Sequence, residues 1–348
     1  MSPSIVVYTD PAWAVADGRR VDPDRATIER EVFGNTVDLR FGPLSSGRYA
    51  TEGAALLDTV TGACALGVYR CPVTPELLDA AGSTLKVVAR QGVGTDNLNV
   101  PLLTERGLIG FNVPDYCVDE VAVHTIAMVL SWERGLIDQH NDLAGGRFDI
   151  YHGSIPRRLS RLTAGIIGLG RIGKAVAHRL RTFYRRVVAT DPYLHADHMA
   201  GYGVEKVELP ELLAQSDVVL LHCPLTDETR GLIDATALDT MRQDALLVNT
   251  ARGGLIDAQA LYDAVRAGAI GGAALDVFSP EDPHQSPAYS RLVTLPRVLV
   301  TSHRAFLSAE SEASSRRRVA EGIRQVLETG RPPFVGTLTG QHTSIGVA

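Results

Sequence analysis

Short runs of apolar and β-branched residues alternate along the chain with longer stretches in which apolar positions recur at helical spacing. This alternation is typical of βαβ units, in which helices join the strands of a mainly parallel sheet. The pattern occurs in two series. The first predicts strands at Ile5–Thr9, Thr36–Phe41, Cys64–Tyr69, Leu85–Arg90 and Leu108–Asn112. The second predicts strands at Ala164–Gly168, Arg186–Thr190, Val218–His222, Leu246–Asn249, Ala273–Val277 and Val298–Thr301. The sequence therefore predicts an α/β protein with two parallel sheets.

Helical spacing fills the gaps between the strands of the first series. It predicts helices at Asp24–Phe33, Thr51–Val60, Thr74–Ala81 and Val100–Arg106. Thr74 precedes Pro75, an arrangement that places an N-cap before a proline at the first helical position. A final helix is predicted from Ala309 to about Glu328, before Gly330, and we expect the tail beyond it to be loosely ordered.

A long apolar helix is predicted between the two series, from Asp119 to about Asp142. Its apolar residues lie on more than one face, so we expect it to be buried on several sides. Two interpretations fit this pattern equally well. The helix is either a core element between domains or part of a dimer contact.

Composition restricts the class of protein. The chain has 348 residues, of which 45% are hydrophobic and 21% charged, and a formal net charge of −6. These values exclude a disordered or collagen-like chain, and the length allows two domains. The negative balance argues against binding to nucleic acid through bulk charge.

The four cysteines, Cys64, Cys71, Cys117 and Cys223, have spacings that match no zinc or disulfide framework. We therefore expect buried thiols and no metal site. No apolar run reaches the ~18–20 residues of a membrane span, and the first residues lack the layout of a signal peptide. The expected location is the cytoplasm.

The strongest local signal is a glycine pattern, G-x-G-x-x-G, formed by Gly168, Gly170 and Gly173. A predicted strand precedes it, a helical pattern at Lys174–Phe183 follows, and the next strand ends at Asp191. This is the context of a dinucleotide-binding turn, in which the diphosphate lies at the helix N-terminus. The Asp191 carboxylate would bind the adenosine ribose hydroxyls and repel a 2′-phosphate, which predicts NAD rather than NADP. The alternative is a glycine turn without a ligand, with Asp191 beginning a turn at Pro192.

Seven motifs together resemble the D-isomer-specific 2-hydroxyacid dehydrogenases, most closely their C-terminal-binding-protein-like branch. The resemblance covers about Lys86 to Leu327, whereas the first 80 or so residues match only in general architecture. Besides the glycine turn, the motifs are Arg90–Asn97, Asn112–Pro114, Leu221–Thr226 with Thr229–Ile233, Val248–Asp257, Ala274–Phe278 and Thr301–His303.

The resemblance implies a fold of two Rossmann/flavodoxin-like parallel-sheet domains, with the nucleotide domain inserted into the substrate domain. Its boundaries would place the substrate domain at residues 1–112 and 302–348 and the NAD-binding domain at 113–301. Members are commonly homodimers that pair through their nucleotide domains. The resemblance therefore favours the dimer interpretation of the long helix.

The family's catalytic arginine, acid and histidine correspond to Arg252, Glu281 and His303. An arginine suits a 2-oxo acid because its guanidinium can hold the carboxylate and the ketone with two directed hydrogen bonds. Hydride transfer leaves an alkoxide, to which His303 would donate a proton. Glu281 would bind the far ring nitrogen and fix the tautomer. Taken singly, a surface arginine, a loop-capping glutamate and a structural histidine are equally good interpretations.

The resemblance also assigns contacts with the ligands. NAD would be bound by Gly168, Gly170, Arg171, Ile172, Gly173, Asp191, Cys223, Pro224, Thr226, Thr250, Ala251 and Asp276. The substrate carboxylate would be bound by the backbone N–H groups of Val93 and Gly94, with Arg90 nearby and Arg252. Gly92 and Gly94 could instead serve only a turn.

Arg304 departs from the family pattern, in which a small or apolar residue usually follows the histidine. This extra cation would favour a 2-oxo acid with a second anionic group, such as a carboxylate or phosphonate. The equally good alternative is that Arg304 points away to solvent or to a structural carboxylate. The predicted function is that of an NAD-dependent oxidoreductase interconverting a (R)-2-hydroxy acid and its 2-oxo acid. The alternatives are an NAD(H)-sensing co-regulator and an enzyme of the same fold that oxidises phosphite.

Overall fold

A computed structural model of the chain describes residues 3–333 and 336–339. The chain forms two compact units. The first unit comprises the described parts of Met1–Tyr116 and Ser308–Ala348, and the second unit is Cys117–Leu307. The second unit is thus inserted in sequence between two segments of the first. The predicted domain boundaries after residues 112 and 301 lie within six residues of this division.

In the described part of the first unit, five parallel strands form a sheet in the order β4-β1-β7-β8-β9. Counted within the sheet this is the order 2-1-3-4-5 of flavodoxin-like folds. Val6 pairs with Leu39 on one side and Ala65 on the other. The sheet strands are β1 (Ser4–Tyr8), β4 (Val37–Phe41), β7 (Ala65–Val68), β8 (Val87–Arg90) and β9 (Ile109–Phe111), and two short hairpins contain β2 (Val15–Ala16) with β3 (Arg20–Val21) and β5 (Leu44–Ser45) with β6 (Arg48–Tyr49).

Helices cover both faces of this sheet because successive side chains of each strand point to opposite faces. Val6 and Tyr8 belong to one apolar cluster and Val7 to another. The predicted cap is confirmed, since the Thr74 hydroxyl accepts a hydrogen bond from the N–H of Leu77. The helices are α1 (Thr27–Phe33), α2 (Ala54–Val60), α3 (Pro75–Ala81) and α4 (Val100–Glu105).

The second unit contains a seven-stranded parallel sheet in the order β12-β11-β10-β13-β14-β15-β16. The chain starts in the middle at β10, runs outward to one edge, and then returns to the other side of β10 at β13. The strand order therefore reverses between β10 and β13, and α/β proteins bind ligands at such a reversal. The strands are β10 (Thr163–Ile167), β11 (Arg186–Thr190), β12 (Glu205–Lys206), β13 (Val218–Leu221), β14 (Leu246–Asn249), β15 (Gly272–Leu275) and β16 (Val298–Val300).

Two apolar clusters lie on the two faces of this sheet. One includes Ile126 and Val176 and the other Leu212 and Leu261, so that helices cover both faces. The helices are α5 (Val118–Glu133), α6 (Leu136–Ala144), α7 (Arg171–Leu180), α8 (Ala196–Gly201), α9 (Leu209–Gln215), α10 (Ala235–Thr240), α11 (Ala258–Ala267) and α12 (Pro287–Leu292). The structure thus confirms the predicted α/β fold with parallel sheets.

The long helix predicted at residues 119–142 is wrong as a single element. It is divided into α5 and α6 at Gly135, which adopts a left-handed backbone with φ of 59°. Glycine reaches this conformation without steric cost, and it breaks the helical ladder. Burial on several sides also holds only in part, because Val123, Leu136 and Ile137 are about half exposed.

The last helix, α13 (Ala309–Thr329), returns the chain to the first unit and packs against α1 and β8. Ser308 and Ser311 form its capping box, and Gly330 ends it. Arg316 forms a buried ion pair with Glu29 and lies over the Trp13 ring, 3.9 Å from its centroid. A buried pair that also stacks on an aromatic ring fixes the position of α13 against the amino-terminal half of this unit.

The predicted loose tail is partly wrong. Leu338 donates a backbone hydrogen bond to Gly110, and the Thr339 hydroxyl bonds with the backbone of Leu108 and Gly110. These contacts attach residues 336–339 to the edge strand β9. The remaining tail, residues 334–335 and 340–348, lies outside the described residues.

Two of the four cysteines are more exposed than the prediction of buried thiols. Cys71 and Cys117 are buried, whereas Cys64 and Cys223 are partly exposed, and all four are free thiols. Among residues 3–333 and 336–339, no group of His, Cys, Asp and Glu side chains is arranged to hold a metal ion. In the same residues, no helix is long and apolar enough to cross a membrane.

Candidate active site

The glycine turn joins β10 to α7 and leaves no room for side chains at two of its glycines. Gly168 has φ of 91°, and a Cβ there would lie 2.6 Å from the backbone nitrogen of Cys223. A Cβ at Gly173 would lie 2.2 Å from the carbonyl oxygen of Gly168. Only glycine fits at these two positions, because one needs a left-handed backbone and both have backbone atoms in contact.

Gly170 differs from its two neighbours because a Cβ there would meet no described atom within 4 Å. Gly170 is the N-cap of α7, and no side chain caps this helix end. The first N–H groups of a helix and its dipole attract an anion. The turn therefore fits the diphosphate of a dinucleotide, with Arg171 exposed and Ile172 half-buried in the first turn of α7.

Asp191 follows β11 and binds the glycine turn directly. One carboxylate oxygen accepts from the N–H of Leu169 at 2.9 Å and the other from the N–H of Tyr193 at 3.0 Å. The second bond is the local turn that we considered as the alternative interpretation. Asp191 thus stabilises the turn, while its predicted contact with a ribose stays a prediction.

His222 lies at the end of β13, against the glycine turn, and sequence reasoning did not select it. Its backbone N–H donates to Ile167, and its Cβ is 3.7 Å from the Cβ position of Gly173. Nε2 is buried without a hydrogen-bond partner among the described residues, and burial lowers the pKa of His222 to about 4. The imidazole beside the turn is therefore neutral at pH 7.

The next residues, Cys223, Pro224 and Thr226, begin the loop after β13. Burial raises the pKa of the Cys223 thiol to about 11, so this thiol is not a nucleophile at neutral pH. The Thr229 hydroxyl donates to Pro224 and accepts from the N–H of Thr226, which closes the loop on itself. The predicted NAD contacts of these residues stay predictions.

The loop after β14 carries Arg252 and is held by a buried amide. The Asn249 side chain donates to the carbonyl of Arg252 at 2.8 Å and accepts from the N–H of Ala251 at 3.0 Å. A Cβ at Gly253 would lie 2.0 Å from the backbone of Phe278, so the Arg252 loop touches the segment that leads to Glu281. Arg252 itself is partly exposed.

Glu281 and His303 form the predicted pair. Nδ1 of His303 lies 2.6 Å from Oε1 of Glu281. With Nδ1 facing a carboxylate, the ring nitrogen left for another contact is Nε2, which has no hydrogen-bond partner among the described residues. The pair therefore has the arrangement of a proton donor whose orientation is fixed by an acid.

A buried carboxylate holds the backbone around His303. Asp276 is inaccessible to solvent, and its two oxygens accept from the N–H groups of Arg304 and Ala305, both at 3.0 Å. Its carbonyl accepts from the N–H of His303 at 2.7 Å. Asp276 thus fixes the His303 turn, and its predicted contact with NAD stays a prediction.

In the first unit, Arg90 ends β8 and its guanidinium lies over the Tyr69 ring, 5.7 Å from the centroid. The carbonyl of Val93 accepts from the Asn112 side chain at 2.6 Å. The N–H groups of Val93 and Gly94 donate no hydrogen bond to a described residue. They are accordingly able to bind an oxygen ligand.

The predicted residues of the second unit share one edge of its sheet. The glycine turn, Asp191 and Cys223 follow β10, β11 and β13, and Arg252, Glu281 and His303 follow β14, β15 and β16. The carboxyl ends of parallel strands lie at the same edge, where open α/β sheets bind their ligands. A dinucleotide turn, a guanidinium and an acid–histidine pair are therefore combined at one edge.

A model of a known protein family matches residues 126–305, about half of the chain, and is described as D-isomer specific 2-hydroxyacid dehydrogenase, NAD binding domain. The chain belongs to this family. The inserted unit of this 2-hydroxyacid dehydrogenase family member is thus an NAD-binding domain, and its cofactor is NAD.

Two relatives with curated names and one solved structure extend the comparison. D-3-phosphoglycerate dehydrogenase of Methanocaldococcus jannaschii is 38% identical over 258 residues, which are 73% of this chain and 48% of that protein. 2-Hydroxyacid dehydrogenase A of Aspergillus oryzae is 37% identical over 247 residues, 68% of this chain and 70% of that protein. D-lactate dehydrogenase from Aquifex aeolicus, solved with NAD and lactic acid, has a TM-score of 0.82 and 25% identity, and the match covers 93% of this chain and 96% of that chain.

The names and lengths of the relatives bear on the predicted branch of the family. The chain spans about half the length of the D-3-phosphoglycerate dehydrogenases that it matches. The branch similar to C-terminal-binding proteins is not confirmed, because these relatives carry a dehydrogenase name. The comparisons therefore show the family to which the chain belongs but not its branch within that family.

Proposed function

We propose that the protein is an NAD-dependent oxidoreductase that interconverts a (R)-2-hydroxy acid and its 2-oxo acid. The observation that carries this proposal is the 2.6 Å contact between Nδ1 of His303 and Glu281, which leaves Nε2 available to a substrate. This pair shares a sheet edge with the glycine turn and with Arg252. A binding module for NAD has no need of such a proton donor.

When bound, the reduced cofactor NADH would supply a hydride to the substrate carbon in the reductive direction, and oxidised NAD would accept it in the oxidative direction. Arg252 holds the carboxylate and polarises the adjacent carbonyl through two charge-assisted hydrogen bonds. In the reductive direction, His303 donates a proton from Nε2 to the oxygen of the former carbonyl, and in the oxidative direction it removes the proton from the hydroxyl. Glu281 accepts from Nδ1–H and stabilises the imidazolium.

We assign the diphosphate of NAD to the N–H groups at Gly170, Arg171 and Ile172, at the start of α7. Asp191 accepts from the adenosine ribose hydroxyls, and its negative charge disfavours the 2′-phosphate of NADP. Thr250, Ala251 and Asp276 belong to the segments that we assign to the nicotinamide riboside and its amide.

We further propose a substrate with a second anionic group, of the type of 3-phosphoglycerate, which combines a carboxylate, a 2-hydroxyl and a phosphate. Two observations support this choice. Arg304 directly follows His303, and its guanidinium has no ion-pair partner among the described residues, so no structural carboxylate there binds it; its exposure fits both a substrate contact and the solvent-facing alternative. Several relatives are named D-3-phosphoglycerate dehydrogenase. In the first unit, we assign substrate carboxylate binding to Arg90 and to the N–H groups of Val93 and Gly94.

We also propose that two copies pair through the segment 136–155 of the nucleotide domain. Seven large apolar side chains there are at least half exposed: Leu136, Ile137, Leu143, Phe148, Ile150, Tyr151 and Ile155. Apolar patches of this size mark contact surfaces. A Phe148→Asp, Tyr151→Asp double variant is expected to sediment as a monomer, and an unchanged sedimentation coefficient would refute the pairing.

The function is tested by following NADH oxidation with a panel of 2-oxo acids that includes pyruvate, glyoxylate and 3-phosphohydroxypyruvate. We expect the phosphorylated acid to have the highest kcat/KM, and Arg304→Ala to reduce this preference about tenfold or more. An unchanged preference in Arg304→Ala removes the role of this arginine.

Two other outcomes would favour the alternative functions. NADH binding without turnover of any 2-oxo acid would favour an NAD(H)-sensing co-regulator. Reduction of NAD by phosphite would favour an enzyme of the same fold that oxidises phosphite.

Asp191→Ser is expected to narrow the preference for NADH over NADPH about tenfold, and an unaltered ratio would exclude the ribose contact.

A further inference from the structure

Two threonines occupy equivalent places before the two catalytic loops. Thr250 directly follows β14 and precedes Arg252 by two residues. Thr301 directly follows β16 and precedes His303 by two residues. Each threonine forms a hydrogen bond with α5, and the two partners are neighbours on that helix, His124 and Thr125.

The contact at Thr301 has a defined direction. The Thr301 hydroxyl lies 2.5 Å from Oδ1 of Asp276 and 4.0 Å from the sulfur of Met128, so its single proton is donated to the carboxylate. Nε2 of His124 lies 3.1 Å from the same hydroxyl and donates to its oxygen. His124 therefore orients the hydroxyl that binds Asp276.

Asp276 connects this contact to the catalytic histidine. His303 has φ of 51°, a left-handed backbone that is uncommon for a residue with a side chain. Such a conformation persists only where its surroundings hold it. The holding bonds are those from His303, Arg304 and Ala305 to Asp276. The chain of contacts from His124 through Thr301 to Asp276 thus ends at the backbone that aims the imidazole.

The contact at Thr250 has a direction as well. Thr125 is fully buried, and its hydroxyl lies 2.7 Å from the carbonyl of Val121, to which it donates. It therefore accepts from the Thr250 hydroxyl, 2.8 Å away. This bond connects α5 to the start of the loop that carries Arg252.

We infer that α5 is a brace for the catalytic loops, in which His124 positions His303 and Thr125 positions Arg252. Neither residue touches the reacting atoms in this role. The loops that carry His303 and Arg252 are hydrogen-bonded, through Thr301 and Thr250, to successive residues of α5, and α5 packs against β14 and β15. The helix thereby fixes the separation of the proton donor and the guanidinium that holds the substrate. The kinetic side of this inference rests on the proposed function.

The kinetic test separates the two arms of the brace. His124→Leu is expected to lower kcat at least about tenfold while the KM for the 2-oxo acid changes less than twofold, because a small misplacement of a reacting group is costly. Thr125→Ala is expected to raise this KM at least about tenfold with a smaller change in kcat. His124→Gln and Thr125→Ser, which retain a hydrogen-bonding group, should recover most of each loss.

Val123→Ala serves as the matched control, since Val123 is the preceding residue of α5 and is half exposed. It should leave kcat, KM and the Kd for NADH unchanged. The inference is overturned if His124→Leu and Thr125→Ala change kcat and KM in the same ratio, if neither changes them, or if the conservative variants fail to recover activity.

A second readout needs no turnover. In the imidazole NMR spectrum of the protein without substrate, the His303 signal is identified by its loss in His303→Gln. We expect His124→Leu to shift or broaden this signal and Val123→Ala to leave it in place. A signal that is unmoved in His124→Leu overturns the brace even where turnover is normal. A wild-type protein that turns over no 2-oxo acid refutes the proposed function, while the NMR result still decides the inference.

Discussion

The two units contain the same kind of sheet but treat its carboxyl edge differently. In the first unit, Asp10 follows β1, and its carboxylate accepts from the N–H groups of Tyr69, Arg70 and Cys71 at 2.9, 2.5 and 3.0 Å. In the second unit, the N-terminus of α7 has no side-chain cap, and the turn before it is open at Gly170.

Successive backbone N–H groups at the end of a strand attract an anion in either unit. The first unit provides that anion from its own chain, whereas the uncapped N-terminus of α7 in the second unit is the place that we assign to the diphosphate of NAD. The carboxyl edge of a parallel sheet is therefore not by itself sufficient to bind a nucleotide. The two units differ in how far an internal carboxylate occupies these N–H groups: Asp10 binds three of them, whereas Asp191 binds only that of Leu169 in the glycine turn and the N-terminus of α7 stays uncapped.

The largest effect on stability is expected from removing the Asp10 carboxylate. Asp10→Ala leaves three backbone N–H groups without an acceptor, and bonds to a charged group contribute ~1.5–3 kcal/mol each. We expect the free energy of unfolding in urea to fall by about 4 kcal/mol, while the Kd for NADH of the folded protein is unchanged. Asp58→Asn, on the exposed face of α2, is the control. A loss below about 1 kcal/mol would contradict the role given to Asp10.

The second prediction contrasts two glycines of the turn. Gly168→Ala should lower both stability, by about 3 kcal/mol, and NADH affinity, because its Cβ meets the backbone of Cys223. Gly170→Ala should leave the Tm unchanged and still weaken NADH binding at least about tenfold, since the open space is assigned to the diphosphate. Differential scanning fluorimetry and calorimetric titration measure the two quantities. Normal NADH affinity in Gly170→Ala would place the diphosphate elsewhere.

The smallest predicted effect is a loss of folding stability at acid pH. It arises from His222, which is buried beside the glycine turn, whereas residues 1–116 contain none of the ten histidines. Its pKa is about 4 in the folded protein and 6.5 as the reference value. Above pH 6.5 the ring is neutral in both states. As the pH falls below 6.5, His222 becomes protonated in the unfolded chain but stays neutral in the folded protein. The free energy of unfolding therefore decreases.

At pH 5.5 this loss amounts to about 1 kcal/mol relative to pH 7.5. It should be absent in His222→Asn, and urea unfolding at the two pH values measures the difference. A His222→Asn protein with the same pH dependence as the wild type would show that the acid sensitivity arises elsewhere.

Local patterns predicted the elements and much of the candidate site. The strands at Arg186–Thr190 and Leu246–Asn249 were predicted to the residue, because each has a buried apolar run, Val187–Ala189 and Leu246–Val248, between polar residues or turns. Arg252, Glu281 and His303 were assigned through the family resemblance, and in the structure Oε1 of Glu281 lies 2.6 Å from Nδ1 of His303.

The features that sequence reasoning missed depend on contacts between distant residues. Asp10 binds N–H groups about 60 positions away, and Thr339 binds the edge strand from more than 200 positions away. His124 and Thr301, separated by 177 positions, belong to the same class. No local period reports such pairs. The break at Gly135 was missed for another reason, since apolar residues continue on both sides of it.

The central claim is that His303 transfers the proton during reduction of a 2-oxo acid. Its most direct test is a single-turnover reaction with NADH carrying two deuterium atoms at C4 of the nicotinamide, followed by chiral analysis of the product. The account predicts a (R)-2-hydroxy acid with deuterium at C2, and a rate about 10³-fold lower in His303→Gln with NADH binding retained. A (S) product, or a His303→Gln protein that reacts at the wild-type rate, would contradict it.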